Sequence, residues 1–154
     1  MSRTKRKSVF MQYTEVAPSQ SAREIVDLLV EFGATRVEQL YFSSRMSGLS
    51  FTIQPPRGPG ISFDLPIRVG KVEEQLKKKR PSLAKDKLTQ LAERIAWRQL
   101  LRWVEAQLAM VETGMVQTHE VFTPYARDPE TGQTLFEVME SRRLLPAAKE
   151  KANG

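Results

Sequence analysis

The sequence predicts an α+β domain of two layers: a four-stranded, mostly antiparallel sheet covered on one side by helices, one of them a long helix in the C-terminal half. Three observations carry this expectation. Apolar and polar residues alternate in short stretches between Val9 and Leu65, the period of a half-buried strand. Between Leu83 and Thr113 the period lengthens to that of a helix. Capping residues, glycines and prolines then punctuate the chain in the order β-α-β-β-β-α-α.

The first strand is expected at Val9 to Thr14, where Val9, Met11 and Tyr13 alternate with Phe10, Gln12 and Thr14 ahead of Pro18. Ser21 and Glu24 have the spacing of a capping box, in which hydroxyl and carboxylate each satisfy a backbone N–H left over at a helix start. Ile25, Leu28, Leu29 and Phe32 share one face of the helix that follows, and Gly33 suits its left-handed closing residue. Val37, Gln39 and Tyr41 then alternate with Glu38, Leu40 and Phe42, and Leu49, Phe51 and Ile53 with Ser50 and Thr52, which makes a hairpin turning at Ser43 to Gly48. The run from Pro55 to Gly60 cannot continue a ladder, because proline has no N–H to donate; Ile61, Phe63 and Leu65 supply the fourth strand.

The remainder reads as helix. A short segment at Lys71 to Lys79 stops before Pro81, and the long helix runs from Leu83 to Thr113, where Gly114 provides the stop. Trp97, Leu101, Val104, Leu108 and Val111 form its apolar stripe, widened on one flank by Leu100, Trp103 and Met110. An arc of about half the circumference has to be covered by the sheet or by a partner. Thr118 is expected to cap a short turn through Glu120 to Pro124, and Thr134 with Glu137 to open a final helix ending near Pro146. Residues 1–8 are read as a basic flexible tail, 9–146 as one domain and 147–154 as a flexible C-terminal tail.

A chain of 154 residues has the size of one domain and can bury most of the surface its unfolded form exposes. Its composition, 40% hydrophobic and 27% charged, is that of a globular protein. Without cysteine the core rests on packing alone, which suits a cytoplasmic location. The basic start, followed by a run broken by Gln12, Thr14 and Glu15, fits neither a signal peptide nor a membrane span. The net charge of +6 is uneven: residues 1–8 carry +4, residues 68–87 carry +5, and the rest sum to −3. Such clusters attract phosphate polymers, acidic proteins or anionic lipid.

Ala92-Glu-Arg-Ile-Ala-Trp-Arg98, Trp103-Val-Glu-Ala-Gln-Leu-Ala109, Glu112-Thr-Gly-Met115 and Glu120-Val-Phe-Thr-Pro-Tyr125, with Gly33-Ala34 and Ser62-Phe-Asp-Leu-Pro66 in the strand-rich half, resemble segments of a group of small uncharacterised proteins encoded by tailed bacteriophages and prophages. The resemblance implies a phage setting and a host cytoplasm, and it transfers no catalytic residue.

The chemistry that is missing narrows the function. No cysteine and a single histidine, His119, leave no zinc site of the usual kinds and no thiol catalysis. Gly58-Pro-Gly60 and Gly70-Lys71-Val72 do not make a phosphate-cradling loop. Although 14 glutamates are present, the four aspartates Asp27, Asp64, Asp86 and Asp128 form no Asp-x-Asp pair. His119, beside Thr118 at a helix start, has no nucleophile or orienting carboxylate and reads as a surface residue. The expectation is therefore a protein that is not an enzyme and needs no cofactor or metal.

Binding is what the remaining signals describe. Arg3, Lys5, Arg6 and Lys7 together with Lys77, Lys78, Lys79 and Arg80 are candidate phosphate contacts for sequence-tolerant nucleic-acid binding. Arg94, Arg98 and Arg102 recur every four residues and form a second candidate stripe, set against the alternative of a solvated face neutralised by Glu105 and Glu112. Tyr41, Phe42, Phe51 and Phe63 could stack on unpaired bases, but strand alternation favours the core. A different class of function, a host-protein inhibitor or adaptor, would use an apolar patch of Trp97, Trp103, Phe122 and Tyr125. Pairing of long helices in a homo-oligomer is the third possibility, and no membrane partner is expected.

Overall fold

Helix α1 (Pro18–Phe32) is the first regular element of the computed structural model, which describes residues 8–142. It begins earlier than Ser21 because Pro18, with its fixed φ, occupies the first turn behind Ala17. Ser21 therefore lies inside the helix, buried and with its hydroxyl unpaired, and no capping box forms with Glu24. The C-terminal end is the expected one. Gly33 takes φ 111°, and its N–H and that of Ala34 close on the Leu29 carbonyl at 3.2 and 2.9 Å.

The strand expected at Val9 to Thr14 is a pair of turns. Gln12 donates its backbone N–H to Val9 O at 2.9 Å and Thr14 to Met11 O at 3.0 Å. The backbone groups that a ladder would satisfy are thus satisfied locally, and Gln99 Nε2 ties the segment to the long helix through Phe10 O at 2.8 Å. The sheet consequently has three strands: β1 (Arg36–Phe42), β2 (Arg45–Ile53) and β3 (Ile61–Asp64), antiparallel in the order β1-β2-β3. The β1–β2 turn is tighter than expected, with only Ser43 and Ser44 at φ 48° and 64°, the conformation of the favoured two-residue hairpin. Arg45 to Gly48 belong to β2, where a register shift at Leu40/Tyr41 leaves Ser47 as an extra residue.

Alternation then sorts the two faces of the sheet. Val37 opposes Phe51, which opposes Phe63, on the covered side. On the other side lie Arg36, Glu38 and Leu40, opposite Thr52, Ser50 and Gly48, which in turn face Ser62 and Asp64. Gly48 permits this layer to close, because a Cβ there would stand 3.3 Å from Leu40 Cδ1.

Four helices follow: α2 (Val69–Lys79), α3 (Lys85–Glu112), α4 (Thr118–Phe122), continued by a 3-10 turn at Thr123–Tyr125, and α5 (Leu135–Ser141). The element order is thus α-β-β-β-α-α-α-α, without the initial strand. The expected stripe of α3 is the core: Trp97, Leu101, Val104 and Leu108 bury against Ile25 and Leu29 of α1 and against Leu49, Phe51 and Phe63 of the sheet. Phe51 stacks on Phe63 at 5.1 Å and meets the edge of Phe122 at 5.3 Å, contacts worth about 0.5–1.5 kcal/mol each beyond the area they bury. A second core joins α2 to the first half of α3 through Leu76, Leu88, Leu91, Ala92 and Ile95.

Helix α4 is capped by Gln117 with Glu120, not by Thr118, which is already the first helical residue. Thr134 caps α5 as expected, its Oγ1 accepting from the Glu137 N–H at 3.2 Å, but the box is half formed: the Glu137 carboxylate accepts from the Thr134 hydroxyl at 3.1 Å rather than from its backbone N–H. The last helix ends at Ser141, short of Pro146. The predicted tails at 1–8, apart from Ser8, and at 147–154 lie outside the described residues. Among the described residues no helix is long and apolar enough to cross a membrane.

Candidate nucleic-acid interface

Pro81 ends α2 and forces the chain to turn, which places four consecutive cations at one tip of the α2–α3 pair. Lys77, Lys78 and Lys79 occupy the last turn of α2, where their charge is favourable beside unpaired carbonyls. Arg80 closes the helix by donating its N–H to Leu76 O at 2.8 Å. At 100° per residue the four side chains fan around the axis, and Lys78 points almost opposite to the buried Leu76. They are therefore not a single flat patch.

Convergence comes instead from tertiary packing. Arg80, Lys87 and Arg94 line one groove of about 350 Å³ between the α2–α3 turn and α3, floored by Leu83 and Leu91 and flanked by Gln90. No carboxylate lines it. Among the described residues none of Lys77, Lys78, Arg80, Lys87 and Arg94 forms an ion pair. Arg94 Nε is buried and has no hydrogen-bond partner there, so a forked donor is only partly satisfied.

The expected arginine stripe does not act as one surface. Arg98 is mostly buried and is paired with Glu24 of α1. Arg102 donates twice to Glu105, at 2.8 and 3.1 Å. Both face a different groove, of about 620 Å³, formed with residues 8–16. Of the three, Arg94 alone lines the groove of Arg80 and Lys87. Glu105 neutralises as expected, whereas Arg98 is claimed by a residue 74 positions away, which helix periodicity alone does not reveal. Arg3, Lys5, Arg6 and Lys7 lie outside the described residues.

The proposed apolar patch is also divided. Trp97 and Phe122 are 0% exposed and can touch no partner. Trp103 and Tyr125 are half-buried and line a cleft of about 360 Å³ with Pro66, Ile67, Arg68, Lys71 and Leu100 among its walls. Of the strand aromatics, Phe51 and Phe63 enter the core, but Tyr41 and Phe42 are 63% and 76% exposed at the hairpin tip, contrary to the expected burial. β1 is an edge strand, and these two residues are its last before the two-residue turn. His119 is exposed.

One polar cluster was missed by sequence reasoning. Residues 126–134 run along the free side of β3, with Ala126 bridged to Phe63 and the Arg127 N–H bonded to Ser62 O at 2.8 Å. Arg127 thereby lies over the uncovered sheet face. Its Nε reaches both Asp64 oxygens at 3.1 Å, its Nη2 reaches Ser50 Oγ at 2.9 Å, and Ser50 donates to Asp64 at 2.7 Å. Partial burial raises the Asp64 carboxyl, but hydrogen bonds from Arg127 and Ser50 and the guanidinium charge outweigh it, holding the group below its usual range. The hydrogen bond to Asp64 in turn raises Arg127. Only the isolated polar positions Ser50 and Asp64 on alternating strands hinted at it. Among the described residues no group of three or more histidines, aspartates or glutamates is placed to hold a metal.

Neither a family model nor a curated protein nor a solved structure matches the chain.

Proposed function

We propose that this chain is a non-enzymatic accessory protein of a phage-infected cell that binds nucleic acid through its phosphates, without reading sequence. The observation that supports this reading is the convergence of Arg80, Lys87 and Arg94 on a groove with no carboxylate in its lining. Cations already matched to carboxylates gain little from a phosphate, since they exchange one anion for another. Arg80, Lys87 and Arg94 have no such partner among the described residues. Lys77 and Lys78 at the same tip extend the field from which a polyanion is drawn.

The test is a salt titration of DNA affinity for the full chain and for the variant Lys77→Gln/Lys78→Gln/Arg80→Gln/Lys87→Gln. Affinity is expected to fall linearly in log–log form with salt. Removing four contacts should reduce the slope by about 3 and weaken binding at low salt by on the order of a hundredfold. Weak binding at low salt, or binding indifferent to salt, would overturn the reading.

A further inference from the structure

The cleft beside Trp103 has a composition that a solvated crevice does not need. Its walls are apolar, from Pro66 and Ile67 before α2, Val72 on α2, and Ala96 and Leu100 on α3. Its lining also holds two aromatic residues, Trp103 and Tyr125, and two cations, Arg68 and Lys71. The rings are held before any ligand arrives, because Trp103 meets Phe122 at 5.7 Å and Tyr125 at 5.6 Å, both edge to face. Arg68 is steadied over the Phe136 ring at 5.5 Å. A volume of about 360 Å³ falls in the range of small-ligand sites.

We infer that this cleft receives one unstacked nucleobase of a single strand, with the adjoining phosphate on Arg68, which forms no ion pair among the described residues, and at its margin on Lys71, whose long, exposed pair with Glu74 at 3.8 Å is worth little in water. The inference rests on the nucleic-acid reading above and adds the form of the ligand. A base is flat and apolar on its faces, and the charge of its nucleotide sits on the phosphate, which matches a cleft with apolar walls, two aromatic rings and cations in its lining. Gln99, the one carboxamide in the lining, has its Nε2 engaged by Phe10 O at 2.8 Å. The cleft thus offers few polar groups to a base edge and accepts the ring without strong preference among bases. Lys78 is seven residues from Lys71 on one stripe of α2, about 10 Å along the axis, with Glu74 between them on the same stripe, so the cleft and the basic tip that carries Lys77, Lys78 and Arg80 are separate cationic sites on one helix.

Trp97 is fully buried, so Trp103 is the tryptophan that an entering base can quench. Intrinsic fluorescence of the full chain is read during titration with an eight-residue oligothymidylate and, separately, with a DNA duplex, and affinity is followed in parallel by anisotropy of the labelled DNA. Saturable quenching by the single strand and not by the duplex is expected. Trp103→Phe should abolish the quenching and weaken single-strand affinity about tenfold while leaving duplex affinity unchanged. Arg68→Gln/Lys71→Gln, at exposed positions that do not enter the core, should shift the quenching midpoint to higher oligonucleotide concentration. Single-strand binding by anisotropy without any quenching would overturn the cleft and leave the basic groove standing. Equal quenching by the duplex, or unchanged single-strand affinity in both variants, would also overturn it. No binding of either DNA by anisotropy would remove the nucleic-acid reading itself.

Discussion

Arg127 on the uncovered sheet face and Arg94 on α3 are both half-buried arginines, yet they are spent differently. Arg127 is enclosed by Asp64 and Ser50, and its charge is used to fasten residues 126–134 to the edge of β3. Arg94 opens onto a groove with Arg80 and Lys87 and leaves an N–H unmatched. The lesson is that a cation already hydrogen-bonded to a carboxylate serves the fold, whereas cations gathered without a counter-charge are held against one another's repulsion and become available to an outside anion.

Breaking the first region should cost stability and no binding. Arg127→Met leaves the partly buried Asp64 carboxylate without a counter-charge, held by Ser50 alone, and is expected to destabilise the fold by about 1–3 kcal/mol, read by urea unfolding. DNA affinity should stay within a factor of two. A loss of affinity without loss of stability would place Arg127 among the binding residues and erase the contrast.

The acid limb of stability sharpens the same point. The Asp64 carboxyl titrates lower in the folded chain than in the unfolded one, so its ionised form favours folding. That contribution is fully present above the unfolded value of about 3.9 and is lost as pH falls through the folded value. The stability gap between the wild type and Asp64→Asn should therefore narrow from about pH 5 downwards, measured as melting temperature against pH. A gap independent of pH would mean that the carboxylate charge contributes nothing to the network.

The smallest effect is a contrast between neighbours on one helix. Arg94→Gln should weaken DNA binding by roughly two- to fourfold, the order expected for one phosphate contact, whereas Arg102→Gln, already matched to Glu105, should change it by less. If the two variants behave alike in a salt titration, the distinction between paired and unpaired arginines carries no functional weight.

Local rules were legible in the residues themselves. The left-handed stop at Gly33, the Thr134 cap on α5, the α3 stripe through Trp97 and Val104 and the Phe51–Phe63 alternation each depend on neighbours within a few positions, or on a period that the backbone imposes. Where a local rule had competition it failed. The Val9–Thr14 alternation found turn hydrogen bonds before a neighbouring strand, and Ser21 fell inside a helix that already starts at Pro18, behind Ala17.

The amino-acid order by itself determined that this is an α+β chain with a single long apolar helix, no cysteine chemistry and two concentrations of positive charge. Which of those charges stay available was decided only in three dimensions. Glu24 reached Arg98, Asp64 reached Arg127, and Arg80 was brought beside Lys87 and Arg94 by the turn at Pro81. Ion pairing depends on separations of a few ångströms between residues that can be tens of positions apart, and those separations exist only once the helices and strands have packed.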